Sequence, residues 1–138
     1  MKTNAASLSL SGITEVCLYS SDLSLSKEFY CDKLGFRLIS ESESHLFFKV
    51  ENQVLLIFDP DKSKEQDQLP AHFAHGNQHI AFEVYPGEYE VWKEKLKNLG
   101  IEIIKEQFWG KSKLRSFYFC DPDSHVLEIL EGNIWASL

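Results

Sequence analysis

The feature that most constrains this chain is an internal repeat, because one order of elements is written twice. Ile13 to Tyr19 alternates and reads as a strand. Asp22 then stands as an N-cap before a helix carrying Leu25, Phe29 and Leu34, which Gly35 ends. Phe36 to Ser40, His45 to Val50 and Gln53 to Phe58 read as three short strands, the last two joined by Glu51-Asn52 as a tight hairpin. From Gln78 the same order returns: a strand at His79 to Val84, a Pro-Gly break and a helix from about Glu88 to Leu99 ending at Gly100. Strands follow at Ile101 to Lys105, Arg115 to Cys120 and His125 to Leu130. The spacing agrees as well, since Glu15 lies 20 positions before Gly35 and His79 lies 21 before Gly100.

Each copy is a β-α-β-β-β module whose sheet has one face under its helix and the other uncovered. The expected architecture is therefore α+β: two tandem βαβββ modules whose mixed sheets pair around a concave cleft. At 138 residues the chain makes a single domain. Module 1 is expected at about 11–58, a polar linker at about 59–77, and module 2 at about 78–132.

Charge and composition remove several classes of partner. The formal net charge is −7, a sign that repels phosphate backbones and anionic headgroups, so neither nucleic acid nor a membrane is an expected partner. The longest apolar run, Val54-Leu55-Leu56-Ile57-Phe58, is far short of the ~20 residues of a spanning helix. The amino-terminal MKTNAASLSLSG alternates Ser with Leu and lacks the apolar core of a signal peptide, so a cytoplasmic location is expected. Cys17, Cys31 and Cys120 are odd in number and widely spaced, which suits reduced, mostly buried thiols rather than disulfides.

A period of two sorts the strand residues between the faces. Val16 and Leu18 should pack under the first helix and Ile80, Phe82 and Val84 under the second. Glu15 with Cys17, and His79 with Ala81, then turn to the open face. In the last strand Leu127 and Ile129 go inward, while Val126, Glu128 and Leu130 face the cleft. Superposing the modules makes Glu15 the counterpart of His79 and Leu56 the counterpart of Glu128, so three of four related positions carry metal-ligand side chains. A carboxylate between Leu127 and Ile129 would be costly without a partner, which strengthens the ligand reading of Glu128. Parity also nominates Ser116 and Tyr118, with Phe48 as the module 1 counterpart of Tyr118. Arg115 is a candidate for an anionic group, and Trp109, in the loop before Gly110, is a candidate cap over an apolar ligand.

With these residues in place, the sequence resembles the vicinal oxygen chelate superfamily, which contains glyoxalase I, fosfomycin-resistance proteins, extradiol dioxygenases and bleomycin-resistance proteins. The likeness runs from Ile13 to Glu131, through Asp22-Leu23, Phe29-Tyr30, Leu34-Gly35-Phe36 and His79-Ile80-Ala81-Phe82-Glu83-Val84. It ends on Phe117 to Glu128, where Ser124 stands in place of the family's usual Gly. The resemblance implies a divalent metal on Glu15, His79 and Glu128, a small-molecule ligand bound through adjacent oxygens, and a homodimer. Two departures carry chemical meaning: Glu15 replaces a more frequent His, and Leu56 replaces the carboxylate that glyoxalase I has there. One imidazole with two carboxylates suits Mn²⁺, Ni²⁺, Zn²⁺ or Mg²⁺ as a Lewis acid, and counts against iron-dependent oxygen chemistry, which prefers two His and one carboxylate.

Two functions follow. The first is a metal-dependent enzyme of isomerase, lyase, transferase or epoxide-opening type, with Glu128 and Tyr118 as catalytic groups and Phe48, Leu56, Trp109, Arg115, Ser116 and Tyr118 around the substrate. The second is a metal-free protein of the same fold that sequesters a drug or metabolite.

Overall fold

The computed structural model describes residues 7–136. Two four-stranded sheets form the molecule. The first contains β1 (Glu15–Tyr19), β2 (Arg37–Glu41), β3 (His45–Val50) and β4 (Gln53–Phe58) in the order β1-β4-β3-β2. The second repeats that plan with β5 (His79–Glu83), β6 (Lys105–Trp109), β7 (Leu114–Cys120) and β8 (Val126–Leu130) in the order β5-β8-β7-β6. In both, the first strand pairs in parallel with the last and the other pairs are antiparallel. This is the two-module architecture expected from the repeat.

The helices are where local chemistry places them. Asp22 accepts from the backbone N–H groups of Ser24 and Leu25 and so starts α1 (Leu23–Lys27). The chain continues as a π-helical turn over Glu28–Lys33, which buries the adjacent Phe29 and Tyr30. Gly35 then leaves with a φ of 78°, a left-handed conformation that favours glycine. Between the modules Asp59 caps a single helical turn, α2 (Pro60–Ser63), in the stretch expected to be linker alone. In the second module α3 (Tyr89–Asn98) buries Tyr89 and Leu96.

One strand lies elsewhere than expected. The stretch from Ile101 to Ile103 lies outside the ladders, with Ile101 and Ile103 packed against the core, and contact with β7 starts where the Ile104 N–H donates to the Tyr118 carbonyl at 2.8 Å. β6 begins only at Lys105, opposite Tyr118.

A single core joins the modules. Leu18, Leu46, Phe48, Leu55 and Ile57 from the first sheet and Phe117, Phe119, Leu127 and Ile129 from the second belong to one buried cluster with Phe29, Tyr30 and Leu34. Phe29 packs on Phe119 with ring centroids 6.4 Å apart, and Phe36 meets both Phe48 and Phe82. The turn from Asp121 to His125 adds a polar seam: the Tyr30 hydroxyl donates to Asp121 at 2.7 Å, and Ser21 donates to Asp123 through its N–H and its hydroxyl. No helix is long and apolar enough to cross a membrane among the described residues. Cys17, Cys31 and Cys120 are unpaired thiols and are half-buried, not buried as expected.

Candidate metal centre

The strand ladders decide which side chains share a face. Leu127 and Ile129 are buried on the helix side, so Val126, Glu128 and Leu130 lie on the opposite face. Glu128 stands between Ala81 of β5 and Tyr118 of β7, and His79 pairs with Val126 one pleat away. His79 and Glu128 therefore meet diagonally, with Nε2 and Oε1 3.3 Å apart.

The orientation of the imidazole follows from its other nitrogen. His79 Nδ1 lies 2.8 Å from the carbonyl of Val126, an acceptor only, so Nδ1 carries a proton and Nε2 is the nitrogen turned toward the Glu128 carboxylate. Glu128 is 5% exposed, and its Oε2 is buried without a hydrogen-bond partner among the described residues. An imidazole nitrogen, a carboxylate oxygen and an orphaned buried oxygen converge, donor types that a divalent cation takes and a cost if none is present. Tyr118 lies on the same face, its ring 6.0 Å from that of His79, and burial with the adjacent Glu128 charge holds its hydroxyl above the usual tyrosine range.

The third expected ligand does not join them. Glu15 projects from the exposed start of β1, and no group of three His, Cys, Asp or Glu side chains is placed to hold a metal among the described residues. Glu15 instead borders a cavity of about 170 Å³ where the edges of β1 and β5 come together, beside Val16, Ile80, Ala81 and Phe82. Within one chain, His79 and Glu128 converge without it.

The remaining candidates divide. Ser116 is on the face of Tyr118 and completely buried, and the Trp109 indole N–H donates to its hydroxyl at 2.9 Å. Trp109 is thus fixed on the same face as Ser116 and Tyr118, at the end of the sheet where it pairs with Leu114. Leu56 lies on the open face of the first sheet, between Cys17 and Phe47.

Phe48 is a correction. It is fully buried on the helix side against Tyr30 and Phe36, and the ladder pairs Phe47, not Phe48, with Leu56. The counterpart of Tyr118 is therefore Phe47; the run Leu46-Phe47-Phe48 hides the alternation that would have shown it. Arg115 is a second correction. It shares the helix side with Phe117 and Phe119, stacks 4.4 Å above the Tyr89 ring and pairs with Glu131 and Glu90. Those hydrogen bonds raise its already high pKa and leave it no role on the open face.

Residues outside the expected set border the open face of the first sheet. Tyr19 hydrogen-bonds His72 Nδ1 at 2.7 Å, and His72 stands edge-on to Phe58. Burial, reinforced by Cys17, pushes the Tyr19 hydroxyl up to about 12. His72 sits in a segment without hydrophobic period, so only the fold discloses where it docks.

Comparison with known proteins agrees with this architecture. The model of the glyoxalase/bleomycin resistance protein/dioxygenase superfamily matches residues 12–129, and the chain belongs to that superfamily. A lactoylglutathione lyase from Agrobacterium tumefaciens superposes with a TM-score of 0.86 at 32% identity, over 93% of this chain and 98% of that one. A curated relative, the metallothiol transferase FosB of Bacillus licheniformis, is 28% identical over 92% of this chain and 79% of its own length. The fosfomycin resistance protein FosX of Listeria monocytogenes has been solved, as a point mutant, with Mn(II) and 1S,2S-dihydroxypropylphosphonic acid. It matches with a TM-score of 0.69 at 25% identity, covering 91% of this chain and 93% of that one.

Proposed function

We propose that this chain is a divalent-metal-dependent enzyme that opens an epoxide or a similarly strained bond in a small molecule held through adjacent oxygens. The observation that carries the reading is the His79–Glu128 pair: the bond to Val126 turns Nε2 to within 3.3 Å of a buried carboxylate whose other oxygen has no hydrogen-bond partner among the described residues. His79 and Glu128 would hold the cation, and Glu15 from the first sheet of a second copy would complete the set in a homodimer. When bound, a Mn²⁺, Ni²⁺, Zn²⁺ or Mg²⁺ ion supplies Lewis-acid polarisation of a substrate oxygen. Tyr118, kept protonated by burial and by Glu128, donates a hydrogen bond to an oxyanion as it develops. Trp109, anchored on Ser116, excludes water from one side.

Two considerations favour ring opening over a proton-shuttling isomerisation. Leu56 offers no base at the position that mirrors Glu128. The FosB and FosX relatives are also a transferase and a fosfomycin resistance protein by name, and fosfomycin is an epoxide.

The test has two stages. Purified full-length protein is titrated with Mn²⁺ by calorimetry, and then incubated with fosfomycin in the presence or absence of L-cysteine while ³¹P NMR follows the phosphonate. Stoichiometric binding abolished by His79→Ala and Glu128→Ala, with a new phosphonate signal that needs the metal, is the expected result. A protein that cannot be loaded with any divalent ion, yet is stabilised by a small organic ligand, would establish the sequestering function instead.

A further inference from the structure

We infer that His125 is a positioning residue that sets the metal-binding imidazole of His79, and that it does so by tying together the two strands on which Glu15 and His79 lie. This rests on the reading of His79 as a ligand.

The geometry is specific. The His125 ring is 2% exposed. Its Nδ1 accepts the backbone N–H of Gln78 at 2.9 Å, so Nε2 carries the proton and donates it to the carbonyl of Tyr19 at 2.6 Å. Tyr19 ends β1, which begins at Glu15, and Gln78 immediately precedes His79 on β5. One neutral imidazole thus spans both strands. The segment around it completes a clamp: the Val126 N–H donates to the Gln78 carbonyl at 2.8 Å, and the Val126 carbonyl receives the Nδ1 proton of His79. The His79 ring is therefore held by the carbonyl of Val126, the residue after His125, while His125 itself fixes the backbone of Gln78, the residue before His79.

The turn before it is built to point that ring inward. Asp121 accepts the backbone N–H groups of Asp123 and His125, and Ser124 is held at a φ of 64°, a left-handed conformation costly for a residue with a Cβ. The fold tolerates this strain where His125 turns into the seam between modules. His125 does not face the metal-ligand atoms, so its influence passes through Gln78 and Val126.

The experiment compares His125→Ala, His125→Asn and His125→Gln in the full chain. ¹⁵N NMR reads the protonation pattern of the two His79 ring nitrogens without metal, and calorimetry reads Mn²⁺ affinity. Wild-type His79 should show one tautomer, protonated at Nδ1. In His125→Ala a mixture of tautomers is expected, with Mn²⁺ affinity lower by roughly 10- to 100-fold. His125→Asn keeps an acceptor for Gln78 and should recover the single tautomer and most of the affinity. His125→Gln keeps only the donor to Tyr19 and should behave like His125→Ala, and it serves in its place if the alanine variant does not fold. A single unchanged tautomer and unchanged Mn²⁺ affinity in His125→Gln or His125→Ala would overturn the inference and reduce His125 to a packing residue. A wild-type protein that binds no Mn²⁺ would overturn the ligand reading of His79, while the tautomer comparison would still decide whether His125 orients that ring.

Discussion

Tyr30 and Asp121 are 91 residues apart in sequence and 2.7 Å apart in the fold, a hydroxyl donating to a carboxylate at the junction of the two modules. Burial raises the pKa of Asp121, and the bond from Tyr30 opposes that rise. Tyr30→Phe should cost about 1.5–3 kcal/mol, the range for a hydrogen bond to a charged group. Urea unfolding checks this. The loss should shrink as pH falls through the folded-state value of Asp121, because a protonated carboxyl no longer depends on the donor.

Phe47 and Phe48 are neighbours with opposite duties. Phe48→Ala empties a fully buried site between Tyr30 and Phe36 and should destabilise by about 3–5 kcal/mol. Phe47→Ala, on the open face, should cost well under half of that. Equal losses in denaturant melts would contradict the assigned strand parity.

Glu128 is a buried carboxylate with an orphaned oxygen, a liability without a cation. Glu128→Leu should therefore leave the metal-free protein as stable as wild type or more so, by on the order of 1 kcal/mol. It should also abolish any rise in Tm on adding Mn²⁺. Thermal melts in chelator and in metal distinguish the two effects, and a metal-free variant much less stable than wild type would argue for a structural role.

Glu131 titrates below the ordinary glutamate value of 4.5, chiefly because it accepts hydrogen bonds from Arg115. A depressed folded-state pKa stabilises above the ordinary value, and the contribution is lost as pH falls through the folded one. The stability gap between wild type and Glu131→Gln should be full at neutral pH and should close on acidification from the ordinary value of 4.5 down through the depressed folded-state one. Urea midpoints across that range are the measurement; a gap that widens on acidification would reverse the sign and exclude the mechanism.

Much of the fold is legible in the residues themselves. Capping by Asp22, the stop at Gly35 and the alternation through Leu127, Glu128 and Ile129 are local features, and the structure follows them. Legibility fails where the local signal is degenerate. Leu46-Phe47-Phe48 offers three apolar residues in a row, so parity there is set by the ladder to Leu55 and Leu56. Ile101 and Ile103 are as apolar as a strand but are anchored in the core without pairing.

By itself the sequence determines a two-module βαβββ fold and the face on which His79 and Glu128 must lie, because period-two alternation and helix caps act over a few residues. Only the tertiary structure decides that their side chains meet, that Val126 orients the His79 ring, that Arg115 is engaged by Glu90 and Glu131, and that Glu15 stands apart. Those outcomes depend on strand register and on how one module docks on the other. Contacts between distant residues set both, and no local pattern encodes them.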